Sequence, residues 1–306
     1  MNAIETQGLT KQFGTYKAVD ELKLKIPFGS ICGFLGKNGA GKTTTIKMLV
    51  GLAQPTNGSI YLMGKERKFG LCNNTNIGYL PDVPNFYGYM TANEYLDFCG
   101  RLYGMADKKR ASVTEELLKR VDLFGVKTRI AGFSRGMKQR LGIAQALINK
   151  PDVILLDEPI SALDPIGRHE VMEIIRSLRG SVTVFFSTHI LSDVEDVCDY
   201  AVIVEKGKLL VDDTMENIKK RYADNTAKLR LYSVPDGKKF IELVQKRNKL
   251  TAEKLNDFDF LLRGMDIHAL GKMIPAMLSE ADIALESYGA HVPTLEDIFL
   301  EVTSHA

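Results

Sequence analysis

The run Gly36-Lys37-Asn38-Gly39-Ala40-Gly41-Lys42-Thr43 restricts this chain more than any other feature; the apolar Ile31 to Leu35 precede it and the helix-like Thr44 to Val50 follow. A strand that enters a glycine-rich turn and leaves as a helix brings backbone N–H groups and the positive end of the helix to one point. The glycines keep side-chain bulk away, so a multiply charged anion can approach the main chain. Lys42 adds a cation, and Thr43 adds a hydroxyl suited to a cation such as Mg²⁺ that keeps several of its waters. The competing reading is a glycine-rich turn followed by a chance Lys-Thr pair, and strand, spacing and helix together weigh against it. The predicted phosphate contacts are Gly36, Lys37, Asn38, Gly39, Ala40, Gly41, Lys42, Thr43 and Thr44.

A second apolar run, Val153 to Leu156, ends in the adjacent acids Asp157 and Glu158. Alone, such a pair could simply cap an exposed strand end. Downstream of a phosphate loop it reads as a metal and water site: Asp157 in the Mg²⁺ shell, and Glu158, on the other side of the alternating strand, orienting or deprotonating a water.

The 306 residues allow one large domain and one smaller one. Lys and Arg total 40 against 38 Asp and Glu, a net charge of +2, which gives no electrostatic reason to expect nucleic acid as a partner. Cys32, Cys72, Cys99 and Cys198 are far apart and form no CxxC pair, so they are expected to be reduced packing residues. The start, Met1 to Thr6, lacks a basic and then apolar leader, and a cytoplasmic location is expected. Apolar runs such as Val182 to Phe186 are strand-length, well below the roughly 20 residues that span a bilayer as a helix.

Strand-like and helix-like stretches alternate from Ile4 to about Asp213, as in a mainly parallel α/β sheet. Ser59 to Met63, after the Asn57-Gly58 turn, reads as antiparallel. Between Asp82 and Lys150 strands vanish: one helix starts at Thr91-Ala92-Asn93-Glu94, and others are predicted over Ser112 to Val121 and Arg135 to Asn149. The expected division is residues 1–221, with a helical subdomain at about 82–150, and a small α+β domain over 222–306. In the latter a strand is predicted at Lys228 to Tyr232, a helix at Phe240 to Arg247, strands on both sides of Asn256, a helix at Ile267 to Glu280 and a strand at Ile283 to Tyr288.

With these motifs goes Phe133-Ser134-Arg135-Gly136-Met137-Lys138-Gln139-Arg140, upstream of Asp157, and over about two thirds of its length the chain resembles the ABC ATPase family. Ser134 and Gly136 match the family signature; Arg135 stands at its usual first glycine and Met137 at its usual glutamine. Ser134 is independently a good N-cap. The resemblance implies a P-loop NTPase fold with antiparallel and helical subdomains, and ATP and Mg²⁺ as ligands. It implies that Ser134 and Gly136 face the γ-phosphate held by an opposite subunit. Ser161-Ala162-Leu163-Asp164 resembles the D-loop and His189 the switch histidine, able to bond phosphate and Glu158. Lys42, Glu158 and His189 are thus the expected catalytic groups. Phe13 resembles the adenine-stacking aromatic, with Tyr16 its rival. Asp82 replaces the usual glutamine; a carboxylate cannot donate a hydrogen bond at neutral pH, yet it can approach Mg²⁺ or its water.

The Ser-x-Gly-Met signature, Asp82 and the tail Pro293 to Leu300 are similar to the branch that serves ABC-2-type exporters. That likeness implies transmembrane permease subunits as partners, a dimer of identical or related cassettes, and a place at the inner face of the cell membrane. Pro84 to Met90 is expected either to pack at a subdomain joint or to receive a permease helix. The rivals are a soluble ABC ATPase acting on ribosomes or DNA and a non-catalytic ATP switch. The first usually has two cassettes or long insertions, and the second often lacks one of the residues matching Glu158 and His189; neither pattern occurs here.

Overall fold

The computed structural model describes residues 1–68, 77–222, 226–245, 247, 250–264 and 266–304. The chain begins with β1 (Asn2–Phe13), β2 (Tyr16–Leu22), β3 (Lys25–Pro27), β4 (Ile31–Leu35), α1 (Lys42–Val50), β5 (Asn57–Leu62), β6 (Lys65–Glu66) and β7 (Ile77–Leu80). Then come α2 (Ala92–Leu102), α3 (Asp107–Arg120), α4 (Arg135–Leu147), β8 (Val153–Leu156), α5 (Pro165–Arg176), β9 (Thr183–Thr188), α6 (Leu191–Val197), β10 (Tyr200–Glu205), β11 (Lys208–Thr214) and α7 (Met215–Tyr222). The remaining elements are β12 (Ala227–Leu231), α8 (Val234–Gln245), β13 (Thr251–Lys254), β14 (Asp259–Arg263), α9 (Ile267–Glu280), β15 (Leu285–Ala290) and α10 (Leu295–Ser304).

A six-stranded sheet runs β11-β10-β4-β9-β8-β7, parallel throughout except for the β10–β11 hairpin. Every residue of β4, β8 and β9 is buried. Their unbroken apolar runs follow from burial on both faces, where a strand has no solvent side to alternate toward. A second sheet, β2-β1-β5-β6 with β3 also on β1, is antiparallel, as expected for the stretch after Asn57-Gly58.

Between β7 and β8 the chain is helical, and α2, α3 and α4 pack on one another. Helix α2 opens with a capping box in which Thr91 N donates to Glu94 Oε2 at 2.8 Å and Glu94 N to Thr91 Oγ1 at 3.3 Å. Helix α3 starts at Asp107, earlier than the predicted Ser112, because its N-cap is Ala106 and makes no side-chain bond that the sequence could advertise. Helix α4 begins at Arg135 as predicted and lies directly on β7: a Cβ at Gly78 would stand 2.1 Å from the Ala146 carbonyl oxygen. That close approach seats the C-terminal end of α4 against the sheet.

By contact density the chain divides into residues 1–215 with the end from Phe299, and residues 216–298. The second unit holds an antiparallel sheet β13-β14-β12-β15 around its own core, with Phe240 and Phe260 edge to face at 5.4 Å. Helix α8 starts at Val234, well before the predicted Phe240: Val-Pro-Asp-Gly reads as a turn, yet Pro is tolerated in a first helical turn and Ser233 Oγ accepts from Asp236 N at 3.3 Å. Cys32, Cys99 and Cys198 are free and buried, and Cys72 lies outside the described residues. Among the described residues no helix is long and apolar enough to cross a membrane.

Two glycines test this packing. Gly78→Ala should cost about 1–3 kcal/mol, because backbone must move to admit the methyl. Gly271→Ala, inside α9 with no heavy atom within 4 Å of the new Cβ, should stabilise by about 0.5–1 kcal/mol. Urea unfolding followed by circular dichroism measures both, and a neutral Gly78→Ala would overturn the close seating of α4 on β7.

Candidate functional site

Strand β4 delivers the chain into the glycine turn, where Ala40 N bonds back to the Lys37 carbonyl at 3.1 Å. Gly41 then opens α1 with φ 100° and no side-chain cap. A Cβ there would sit 2.3 Å from the Ala18 carbonyl oxygen, so the turn requires glycine twice over, for its left-handed backbone and for the neighbouring strand. Lys42, 6% exposed, folds back over the turn: its Nζ lies 2.7 Å from the Gly36 carbonyl, 3.4 Å from the Lys37 carbonyl and 3.4 Å from Glu158 Oε1.

A cavity of about 450 Å³ opens over this turn. Asn38, Gly39, Gly41, Lys42, Thr43 and Thr44 form its floor, and Asp82, Glu158, Ser161 and His189 stand around it. Gly36, Lys37 and Ala40, predicted to touch phosphate, belong to the same turn but do not line the cavity. Of the two aromatic rivals, Tyr16 lines the cavity and Phe13 does not: they are cross-strand partners where β1 meets β2, Tyr16 Oη donates to the Gly39 carbonyl at 3.3 Å, and Lys11 Nζ lies 5.1 Å from the Phe13 ring centroid.

Behind the floor is Asp157, 1% exposed. Thr43 Oγ1 donates to its Oδ1 at 3.1 Å and Ser187 Oγ to the same oxygen at 2.7 Å. Burial pushes this carboxyl above the usual carboxylate range; the Ser187 and Thr43 hydroxyls pull it down, and the charges of Asp82 and Glu158 add to the rise. A buried carboxylate beside a threonine hydroxyl is a set of hard oxygen donors short of positive charge, which fits Mg²⁺. Nearby Tyr79 is pushed up to about 12 by burial and by the charges of Asp157 and Asp82.

Glu158 faces the cavity for a reason other than strand alternation. Strand β8 ends at Leu156, and Glu158 itself adopts φ 47°, a left-handed turn that swings its side chain away from that of Asp157. One carboxylate oxygen pairs with Lys42 and the other lies 3.0 Å from His189 Nδ1. Ser187 ties the two acids together, since Glu158 N donates to the same Oγ at 2.9 Å. The sequence assigns Ser187 no role; its place beside Asp157 comes from the β8–β9 pairing, Leu156 opposite Phe186, which no local pattern states.

Ser134 and Gly136 do not line this cavity. With Arg135, Met137, Ala162, Leu163 and Asp164 they line a separate cleft of about 290 Å³. Ser134 caps α4, accepting from Met137 N at 3.2 Å, and Asp164 caps α5, accepting from Gly167 N at 3.1 Å. One cavity can therefore hold a polyphosphate, with a cation and a carboxylate–imidazole pair able to take a proton from water. The second presents a bare serine-capped helix start of the kind that receives an anion.

The family model described as ABC transporter matches residues 19–161. The chain is 36% identical over 304 residues to the uncharacterized ABC transporter ATP-binding protein YxlF of Bacillus subtilis (strain 168), covering 98% of this chain and 99% of that protein. It is 44% identical over 225 residues to the bacitracin transport ATP-binding protein BcrA of Bacillus licheniformis, covering 71% of this chain and 72% of that one. A solved ATP-binding subunit of an ABC transporter superposes with a TM-score of 0.63 at 28% identity, over 72% of this chain and 93% of that one. With the phosphate loop, paired acids, histidine and signature serine placed as described, the chain belongs to the ABC transporter ATP-binding proteins and is an ATPase of that family.

Proposed function

We propose that the chain is the ATP-hydrolysing half of an exporter, in which two cassettes close head to tail over ATP and drive separate transmembrane permease subunits. The observation that carries this reading is the separation of the phosphate cavity from the Ser134 cleft within one chain. A nucleotide held by Lys42 and Thr43 of one subunit is completed by Ser134 and Gly136 of another, either a second copy or a close relative. ATP then favours the closed pair because open subunits lack half of its γ-phosphate contacts, and hydrolysis removes that preference. The relative named for bacitracin transport supports a transporter. Outward direction rests on the likeness of Ser134 to Met137 and of Asp82 to the ABC-2-type exporters, and the place at the inner face of the membrane follows from the permease.

Within the cavity Lys42 offers the γ-phosphate a cation already aimed over the turn. Thr43 and Asp157, with Asp82 across the cavity, would hold Mg²⁺, which offsets phosphate charge when bound. Glu158, positioned by His189 and Ser187, takes the proton of the attacking water, and His189 is exposed enough to reach the transferred phosphate. Tyr16, with Phe13 beside it, stands where the base would stack.

Glu158→Gln keeps the shape and loses the base. Phosphate release should fall about 10²- to 10⁴-fold while MgATP still binds and now traps a dimer, read by light scattering. Hydrolysis at the parental rate would remove the role given to Glu158, and a chain that stays monomeric with saturating MgATP, alone and with its permease, would remove the closed pair.

The aromatic segment before α2 gives a second test. Phe86 packs inward, edge to face with Tyr95 at 5.1 Å, so of the residues expected to meet the permease it is a packing residue. Tyr87 and Tyr89, 48% and 64% exposed with ring centroids 5.8 Å apart, form the surface we assign to a permease helix. Tyr87→Ala with Tyr89→Ala should weaken co-purification with the permease and leave ATP affinity unchanged; unaltered assembly would remove this surface.

A further inference from the structure

Two of the departures from the usual motif pattern, an acid at residue 82 and an arginine at residue 135, meet in space. Arg135 Nη2 lies 3.8 Å from Asp82 Oδ1, both side chains about half exposed at 48% and 49%. That oxygen is itself shielded and has no hydrogen-bond partner among the described residues, and 3.8 Å is too long for a hydrogen bond. One turn further along α4, the buried Gln139 donates its Nε2 to the Asp82 carbonyl at 3.2 Å. Residues i and i+4 of one helix face thus grip the same loop residue at its side chain and its backbone. Asp82 at the same time lines the phosphate cavity with Thr43 and Glu158, close enough to Asp157 for its charge to raise that carboxyl.

The geometry points to an exchangeable charge latch: Asp82 pairs with Arg135 in the nucleotide-free chain and turns to the cation site when MgATP fills the cavity. This rests on the reading of the cavity as the ATP site. Arg135 is then a positioning residue that never needs to touch nucleotide. It competes for the carboxylate that would otherwise face Mg²⁺, and it stands one residue after Ser134. Release of the latch is felt where α4 presents Ser134 and Gly136 to the other cleft, so occupancy of one half-site reaches the other along α4. Neither residue makes sense of the pair alone: an uncharged side chain at 82 would give Arg135 nothing to hold, and a glycine at 135 would leave Asp82 free.

The test is a double-mutant cycle on single chains, titrating ATP calorimetrically with Mg²⁺ and with EDTA at dilute protein. An ion pair this exposed is coupled weakly, so Arg135→Gln should tighten MgATP relative to metal-free ATP by about 2- to 5-fold. Arg135→Lys should behave as the parent. In an Asp82→Asn background the same Arg135→Gln change should leave the ratio of the two affinities unmoved. All variants should keep the parental melting temperature, because both side chains are about half exposed. An equal shift in both backgrounds, or none in either, overturns the latch; a general loss of folding would instead lower melting and both affinities together. The titration reads one subunit's own cavity, so failure of the latch leaves the closed pair standing, and a Glu158→Gln chain that stayed monomeric would leave the coupling readable.

Discussion

A carboxyl with 1% exposure has to be held by something, and Asp157 is held by two hydroxyls from different parts of the chain. Thr43 comes from the first turn of α1, which follows β4, and Ser187 from the end of β9, while Asp157 follows β8. These three strands are adjacent in the parallel sheet, in the order β4, β9, β8. The sheet register therefore decides the site: Leu35 pairs with Thr188 and Leu156 with Phe186, which sets the phosphate turn, the acids and the histidine at one edge. Ligands at the carboxyl ends of parallel strands are a general outcome of this architecture, since helix starts and strand ends converge there. Here the convergence is made specific by one aspartate oxygen shared between two donors.

The same arrangement explains why Lys42 and Glu158 rest against one another. Each carries charge that nucleotide and water would engage, and each uses the other as a stand-in, at 3.4 Å. The carbonyls of Gly36 and Lys37 share Lys42, and His189 shares Glu158, so neither charge is left unpaired in a partly buried pocket. The cavity is thereby close to its working shape before anything enters it, which lowers the reorganisation that binding has to pay for.

Local chemistry made much of this visible before the structure. The strand and the phosphate turn are contiguous in the chain, so local spacing marks them, and the acids after the second apolar run take their meaning from that turn upstream. The buried strands β4, β8 and β9 were legible because burial on both faces leaves continuous apolar runs. Ser187 as a bridge, and the meeting of Asp82 with Arg135, were not legible, because each depends on strand register or on how α4 is seated over β7. Phe13 was ranked ahead of Tyr16 from sequence, yet Tyr16 is the one that lines the cavity, since cross-strand neighbours on a hairpin share a neighbourhood and differ in which face they take. Helix starts were readable where a side chain caps, as at Thr91 and Ser134, and misplaced at Ala106 and Val234, where the cap is silent or hidden in a turn-like Pro-Asp-Gly.

The short stretch from Asp157 to Asp164 carries the link between the two cavities. Glu158 and Ala162 both take left-handed backbone, φ 47° and 52°, conformations that cost non-glycine residues roughly 1–3 kcal/mol each. Between them Ser161 N bonds to the Glu158 carbonyl at 3.1 Å, closing a tight turn. The first bend aims Glu158 at the phosphate cavity, where Ser161 also faces. The second carries Ala162, Leu163 and Asp164 to the cleft with Ser134. Strain of this kind persists where the surroundings over-determine it, and here they do: Ser187 anchors Glu158 N at one end, and Asp164 starts α5 by capping Gly167 at the other. A stretch held at both ends and bent twice between them thus runs from the phosphate cavity to the Ser134 cleft within one chain.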